Sequence, residues 1–313
     1  MTGNRRNQGS TPLSALRVNE QASHLVGAAK SAISARDSVG QPSWKVRREY
    51  VTTLKAQAVV KRLSDRDLQI IDTLSTVNIA SGRQLQTLHF GLGRSAARMA
   101  RRQLESLVGL GVLTRIERRP QGVRGGSLGY VYALDVLGQV ITGVPRRRRR
   151  PRLPGMEFMA HGLAVTDCFI TLKQLEAATK IELLAFETEP NCWRDFTGPG
   201  GYVRVLKPDA YVVTASAEWE DRWLLEVDRA TESRARLRTK LLAHTAYYQS
   251  GREQAESGIF PLILWVVPDA ARCDVLIQVI ALLPAEHHRL FKVCTDDQFA
   301  DVITAGAASE ASS

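Results

Sequence analysis

Lys207-Pro208-Asp209-Ala210-Tyr211-Val212-Val213-Thr214, followed after a short polar stretch by Arg222-Trp223-Leu224-Leu225-Glu226-Val227-Asp228, decides the fold class of this chain. Two runs rich in β-branched and aromatic residues, separated by a turn, read as consecutive strands. On the second run, alternation places Trp223, Leu225 and Val227 on one face and Leu224, Glu226 and Asp228 on the other. Two acids on the solvated face of a half-buried strand need no function, which is the plainest account of Glu226 and Asp228. Asp209 is harder to dismiss. Its alternate neighbours Val205, Tyr211 and Val213 are apolar, so a straight strand buries its carboxylate unless a partner or a metal compensates. Pro208 stands where it can break that register.

Outward from this pair, residues 156–178 carry a helical pattern and 181–187 a strand. A loop containing Thr197-Gly198-Pro199-Gly200-Gly201 precedes the strands expected at 202–214 and 222–228. A long helix over 231–250 leads into a buried strand at 261–267, then a helix at 270–283, a strand at 290–294 and a helix at 297–303. Helix, three strands, helix, strand is an α/β order in which helices cover a mixed sheet.

The N-terminal half has a different grammar. Folded structure opens at Leu63-Ser64-Asp65-Arg66-Asp67, where Ser64 can accept from first-turn amides and Asp67 can reach back. Leu68, Ile71, Leu74 and Val77 then recur at three and four residues, which gives a helix with one buried face. A second capped helix starts at Ser81 and runs through Leu85 and Leu88. Gly91 and Gly93 punctuate the next turn, and a third helix spans residues 94–109 before Gly109-Leu110-Gly111 stops it. Its apolar stripe is Ala97, Ala100, Leu104, Leu107 and Val108, while Arg94, Arg98 and Arg102 stack four residues apart on another side. Strands at 112–118 and 129–134, joined by the cationic turn Pro120-Gln121-Gly122-Val123-Arg124-Gly125-Gly126, complete the order of a winged helix-turn-helix. In that arrangement Arg94, Ser95, Arg98 and Arg102 face the major groove, and Arg118, Arg119 and Arg124 of the wing lie near phosphates. A solvated helix face explains an arginine stripe taken alone; the stripe, the turn and the basic wing together point to DNA.

Charge divides the 313 residues in the same place. Residues 1–152 hold 27 Lys+Arg against 9 Asp+Glu, a net of +18, and residues 153–313 hold 15 against 23, a net of −8. A half that basic repels itself when compact, and its cheapest partner is a polyanion: double-stranded DNA first, an anionic membrane second. The membrane reading is the weaker one. A spanning helix needs about 20 apolar residues, whereas the longest apolar run, around 259–267, is interrupted by Pro261. The segment from Met1 to Ser10 has no apolar signal core, so a cytoplasmic location is expected. Cys168, Cys192, Cys273 and Cys294 lie far apart with no Cys-x-x-Cys pair, which encodes neither a zinc knuckle nor a redox pair. The run Pro145-Arg146-Arg147-Arg148-Arg149-Arg150-Pro151 holds five arginines between prolines; it marks a linker that either tracks a phosphate backbone or serves as a charged hinge. The expected organisation is a basic arm (1–45), a winged helix-turn-helix (46–144), an arginine-rich linker (145–154), an α/β domain (155–304) and a polar tail (305–313).

The chain resembles the replication-relaxation family of actinobacterial plasmids and integrated elements over most of residues 63–303. The resemblance is carried by the winged-helix segment, by His161-Gly162-Leu163-Ala164-Val165-Thr166-Asp167, by Lys207-Pro208-Asp209, by Leu225-Glu226-Val227-Asp228-Arg229-Ala230-Thr231-Glu232 and by Lys240-Leu241. His161 and Asp167 belong to that pattern; a histidine amid Leu163 and Val165 reads as a packed or hydrogen-bonded core residue. The second half also resembles the PD-(D/E)xK nucleases, a restriction-endonuclease-like fold in which an acid on one strand and an acid-x-lysine on the next gather around a scissile phosphate. Asp209 matches the first acid and Glu226 the second. The lysine position is Asp228, which departs from the pattern, and Lys240 on the following helix is the candidate substitute.

The resemblance implies a DNA-binding protein of a mobile element, acting in replication, transfer or their control, whose nuclease-like half no longer cuts. The alternative is an active metal-dependent endonuclease or nickase. In that reading Asp209 and Glu226 hold Mg²⁺ or Mn²⁺, which suits hard oxygen ligands, and Asp209, Glu226, Asp228 and Lys240 form the catalytic set. Admissible partners besides DNA are other replication or transfer proteins of the element and a second copy of the chain. A rolling-circle initiator with a nucleophilic tyrosine fares poorly, because no His-x-His occurs and Tyr247-Tyr248 alone is a weak sign.

Overall fold

The computed structural model describes residues 54, 56–116, 129–143, 155–198, 200–216 and 219–307. The expected basic arm, the wing residues Arg118, Arg119 and Arg124, the run Arg146, Arg147, Arg148, Arg149 and Arg150, and the tail from residue 308 lie outside the described residues. Two compact units emerge. One takes the described residues up to Ser75 and those from Gly93 to 143; the other takes Thr76–Leu92 and those from 155 onward.

In the first unit, helix α1 (Asp65–Val77) opens as its sequence dictates. The Ser64 amide and hydroxyl both donate to Asp67 Oδ2, at 2.9 and 2.7 Å, and the Asp67 amide donates to Ser64 Oγ. Ile70, Ile71 and Leu74 are buried, while Leu68, expected on the inner face, is only half-buried. After the short strand β1 (Ala80–Ser81) and helix α2 (Gly82–His89), which go with the second unit, comes helix α3 (Arg94–Gly109). Its buried stripe is Ala96, Ala100, Leu104 and Leu107; Ala97 and Val108 flank it. Strands β2 (Leu113–Ile116) and β3 (Val131–Leu134) pair antiparallel, and Arg115 lies over the Tyr130 ring at 3.9 Å. Helix α4 (Val136–Ile141) follows, capped by Asp135. A Cβ on Gly138 would meet the Val112 carbonyl oxygen at 2.3 Å, so only glycine permits α4 to pass that close to the strand.

The second unit is built on a five-stranded mixed sheet. Helix α5 (Met156–Ala177) leads into strand β4 (Glu182–Thr188). Strands β5 (Arg194–Thr197) and β6 (Val203–Leu206) form a hairpin apart from the main sheet. Strands β7 (Ala210–Ala215) and β8 (Glu220–Val227), helices α6 (Arg234–Gln249) and α7 (Arg252–Ser257), strand β9 (Leu262–Val267), helix α8 (Ala270–Ile280), the turn of helix α9 (Ala285–His288), strand β10 (Phe291–Thr295) and helix α10 (Phe299–Ala305) complete it. The strand order is β10-β9-β8-β7-β4; β8, β9 and β10 run parallel, and β7 is antiparallel to β8 and to β4.

Helices cover both faces. Val165, Cys168 and Leu172 of α5 pack with Trp223, Leu225, Val227, Phe299 and Ile303 on one side. Leu237 and Leu241 of α6 and Leu276 of α8 pack with Leu224, Ile263 and Trp265 on the other. Burial on both faces explains why β9 reads as the unbroken apolar run Leu-Ile-Leu-Trp-Val-Val. It also overturns the expectation of a solvated face on β8: the alternation is as read, but Glu226 and Asp228 are each only 2% exposed.

The strand expected over 202–214 is two strands in two different sheets. Pro208 has no amide hydrogen to give a ladder, and the Asp209 amide turns instead to the Leu225 carbonyl at 3.0 Å. The chain therefore leaves the β5–β6 hairpin at Leu206 and enters the main sheet at Ala210, with Asp209 at the junction.

Candidate functional site

Asp209 sits where β7 begins and β8 ends. Its Oδ2 accepts from the Val227 amide at 2.7 Å, and its Oδ1 lies 3.0 Å from His161 Nε2 on α5. The break at Pro208 frees the carboxylate from the strand's alternation and lets it take the Val227 amide at the end of β8. Burial pushes the His161 imidazole toward a lower pKa, but the hydrogen bond to Asp209 and its charge outweigh that, helped by Glu226 and opposed by Lys240, and the result is a raised value.

Glu226 points to the other face of the sheet. Its Oε2 accepts from Lys240 Nζ at 3.1 Å and its Oε1 is 2.8 Å from His244 Nε2, both on α6. The Glu226 oxygen is the acceptor, so His244 Nε2 carries the hydrogen; His244 Nδ1 is buried with no hydrogen-bond partner among the described residues. Burial would raise the Glu226 pKa, yet the His244 hydrogen bond and the Lys240 charge hold it below its ordinary value. Lys240 also reaches Glu232 Oε1 at 3.2 Å and lies over the Trp265 ring. Burial would lower its pKa, but Glu226, Asp209 and Glu232 together raise it, so the ammonium is held charged. The sequence-predicted trio of Asp209, Glu226 and Lys240 thus lies around the end of β8, each within the electrostatic reach of another.

Asp228 has a different role. Its Oδ2 accepts from Arg272 Nε and its Oδ1 from the Ala230 amide, while Arg272 also donates to the Glu232 carbonyl at 2.8 Å. The acid therefore ties the turn after β8 to the first turn of α8. Asp269 caps that helix by accepting from the Arg272 amide at 2.8 Å. Asp228 faces an arginine, with no lysine-like function to perform.

The string from His161 to Asp167 gains a structural account. Gly162 lies against Ile79, where a Cβ would stand 2.8 Å from Ile79 Cδ1. Thr166 donates to the Ile79 carbonyl at 2.7 Å, and Gln84 Nε2 donates to the Leu163 carbonyl at 2.8 Å and to Asp167 Oδ1 at 2.6 Å. One face of α5 thus holds segment 76–92, while His161 serves the acid cluster. Two residues of the site escaped sequence reasoning. His244 is buried on α6, and its signal was a polar ring that burial obliges to find a partner. Arg272 lies 44 residues from Asp228 and carried no local sign. Tyr247 on the same helix is buried and donates to Glu253.

A resident Mg²⁺ or Mn²⁺ requires carboxylate oxygens free to ligate. Both oxygens of Asp209 and both of Glu226 already accept from protein donors, and the Lys240 ammonium stands beside Glu226 where a dication would have to sit. No group of three or more His, Cys, Asp or Glu side chains that could hold a metal occurs among the described residues. As arranged, these residues do not fit the ion.

On α3, Arg94, Ser95, Arg98, Arg101 and Arg102 are all exposed, opposite the buried Ala96, Ala100, Leu104 and Leu107. Met99 is half exposed among them. No helix among the described residues is long and apolar enough to cross a membrane.

The pattern of a family described as replication-relaxation matches residues 71–263. No curated protein and no solved structure matches the chain.

Proposed function

The chain belongs to the replication-relaxation family, and from that premise we propose that it binds double-stranded DNA through a winged helix-turn-helix and serves replication, transfer or their control on a plasmid or integrated element. The observation that carries this reading is the face of α3: four exposed arginines on a helix whose opposite side is buried. The order α1, β1, α2, α3, β2, β3 supports it, as that is the succession a winged helix requires, with α3 as the recognition helix and Arg94, Ser95, Arg98 and Arg102 toward the groove. In this reading Arg118, Arg119 and Arg124 of the wing and the run Arg146, Arg147, Arg148, Arg149 and Arg150 neutralise phosphates. Duplex binding measured across salt concentrations, for the wild type and an Arg98→Ala/Arg102→Ala variant, tests it.

The succession α5, β4, β7, β8, α6, β9 supports a PD-(D/E)xK-like ancestry for the second unit, with Asp209 and Glu226 in the acid positions. A second reading, a metal-dependent endonuclease or nickase, is favoured by one observation, the reach of Lys240 from α6 to Glu226 at 3.1 Å. Against it stand the occupied oxygens of both acids and the commitment of Asp228 to Arg272. Cleavage of supercoiled and linear cognate DNA with Mg²⁺ or Mn²⁺, compared with Asp209→Ala, Glu226→Ala and Lys240→Ala, separates the readings. A binding protein leaves the DNA intact in every case.

A further inference from the structure

The exposed side of α3 falls into two rows. Arg94, Arg98, Arg101 and Glu105 stand four, three and four residues apart, and so do Ser95, Met99, Arg102 and Ser106. At that spacing the members of a row lie one above another on a helix, and the two rows run side by side. All of these residues are exposed, whereas Ala96, Ala100, Leu104 and Leu107 make up the buried side. The first row is cationic at its first three positions; the second carries one cation, Arg102, and one large apolar side chain, Met99.

None of Arg94, Arg98, Arg101 and Arg102 pairs with a carboxylate among the described residues. Their charge is left for a partner outside the chain, and a polyanion is its complement. A single exposed methionine needs no function, but the place of this one is informative. Met99 is half exposed between Ser95 and Arg102, one turn to either side, both of them on the face assigned to the groove. Ser95 and Ser106 are short, so Met99 and Arg102 project furthest from their row. A base edge in the major groove offers one apolar group, the 5-methyl of thymine. The unbranched, polarizable side chain of methionine adapts to such a contact.

We propose that Met99 is a specificity-determining residue of α3: its thioether chain packs on the 5-methyl group of a thymine, beside a guanine read by Arg102. The inference rests on the reading of α3 as the recognition helix and adds to it the bases that the helix selects. Three residues of a helix rise about 4.5 Å, and successive nucleotides of a B-DNA strand are about 3.4 Å apart along the axis. Met99 and Arg102 therefore address adjacent base pairs. Arg102 takes guanine O6 and N7, the commonest specific contact an arginine makes.

The test starts from a random-sequence duplex library selected on the full chain. Recovered sites should share a thymine beside a guanine. Each thymine of a recovered site is then replaced singly by deoxyuridine, which lacks only the methyl group. At the shared position the wild type should bind the deoxyuridine duplex about fourfold more weakly, the worth of burying one methyl-sized group. Met99→Ala should weaken binding of the thymine duplex by a similar factor and no longer distinguish the two duplexes, whereas Met99→Leu keeps the preference. Met99 is half exposed, so Met99→Ala should melt like the wild type; if it melts early, Met99→Gln, of similar length and helix preference, carries the comparison. Recovered sites without a shared thymine, thymine and deoxyuridine duplexes bound alike by the wild type, or discrimination undiminished in the Met99 variant would each overturn the proposal. If Arg98→Ala/Arg102→Ala loses affinity in those cases, the recognition-helix reading stands and this inference falls alone. If that variant binds as the wild type does, the reading itself falls.

Discussion

Lys240 Nζ lies 3.1 Å from Glu226 Oε2, although the lysine stands fourteen residues further along the chain, on the helix that follows the strand. The position two residues after the acid, where a nuclease of the PD-(D/E)xK kind keeps its lysine, is taken by Asp228 and locked to Arg272. A cation therefore serves the acid from across a helix–sheet interface, and the acid spends both oxygens on that helix.

Breaking the Asp228–Arg272 pair should be costly. Both side chains are largely buried, and removing one partner strands the other's charge. Arg272→Ala is expected to destabilise by about 3–5 kcal/mol, and Asp228→Ala by a comparable amount. Urea denaturation of the two single variants and the double variant should show a double variant less damaged than the sum of the singles. Simple additivity would mean the pair is not coupled.

The acid limb of the stability curve should report Glu226. Its native pKa lies below its ordinary value of 4.5 because the His244 hydrogen bond and the Lys240 charge outweigh burial. The unfolded chain therefore takes up this proton first as acid is added. The contribution is complete above about pH 4.5 and is lost as pH falls through the native value. Glu226→Gln should lower stability at neutral pH and flatten the decline on acidification; parallel decline of variant and wild type in denaturant melts across acid pH would contradict it.

Gln84 should matter beyond its own helix. It closes the capping box with Ser81 and donates to the Leu163 carbonyl and Asp167. Gln84→Ala leaves a buried carbonyl without that donor and is expected to cost about 1–3 kcal/mol. Hydrogen exchange should rise at the amides of α2. Protection equal to the wild type there would show that the side chain does not hold this segment.

Much of the fold was legible in local pattern. The alternation of Trp223, Leu225 and Val227 against Leu224 and Glu226 was right, and so were the start of α1 at Ser64 and the arginine face of α3. What local pattern could not carry was pairing at a distance. Glu226 and Asp228 looked like solvated acids because Lys240, His244 and Arg272 lie far along the chain. The strand expected through residue 208 failed because one proline, lacking a donor, moved the chain from one sheet to another. The role of His161 needed Asp209, 48 residues away, and its apolar neighbours Leu163 and Val165 concealed it.

The central claim is that α3 meets DNA through its exposed arginines, and the most direct measurement is duplex affinity as a function of salt for the wild type and the Arg98→Ala/Arg102→Ala variant. Binding should fall steeply with salt in the wild type. Loss of the two groove-facing arginines should weaken binding at every salt concentration, by about 1–3 kcal/mol for each base contact removed. Affinity and slope unchanged in a variant that melts like the wild type would contradict the assignment of α3 as the DNA-reading helix.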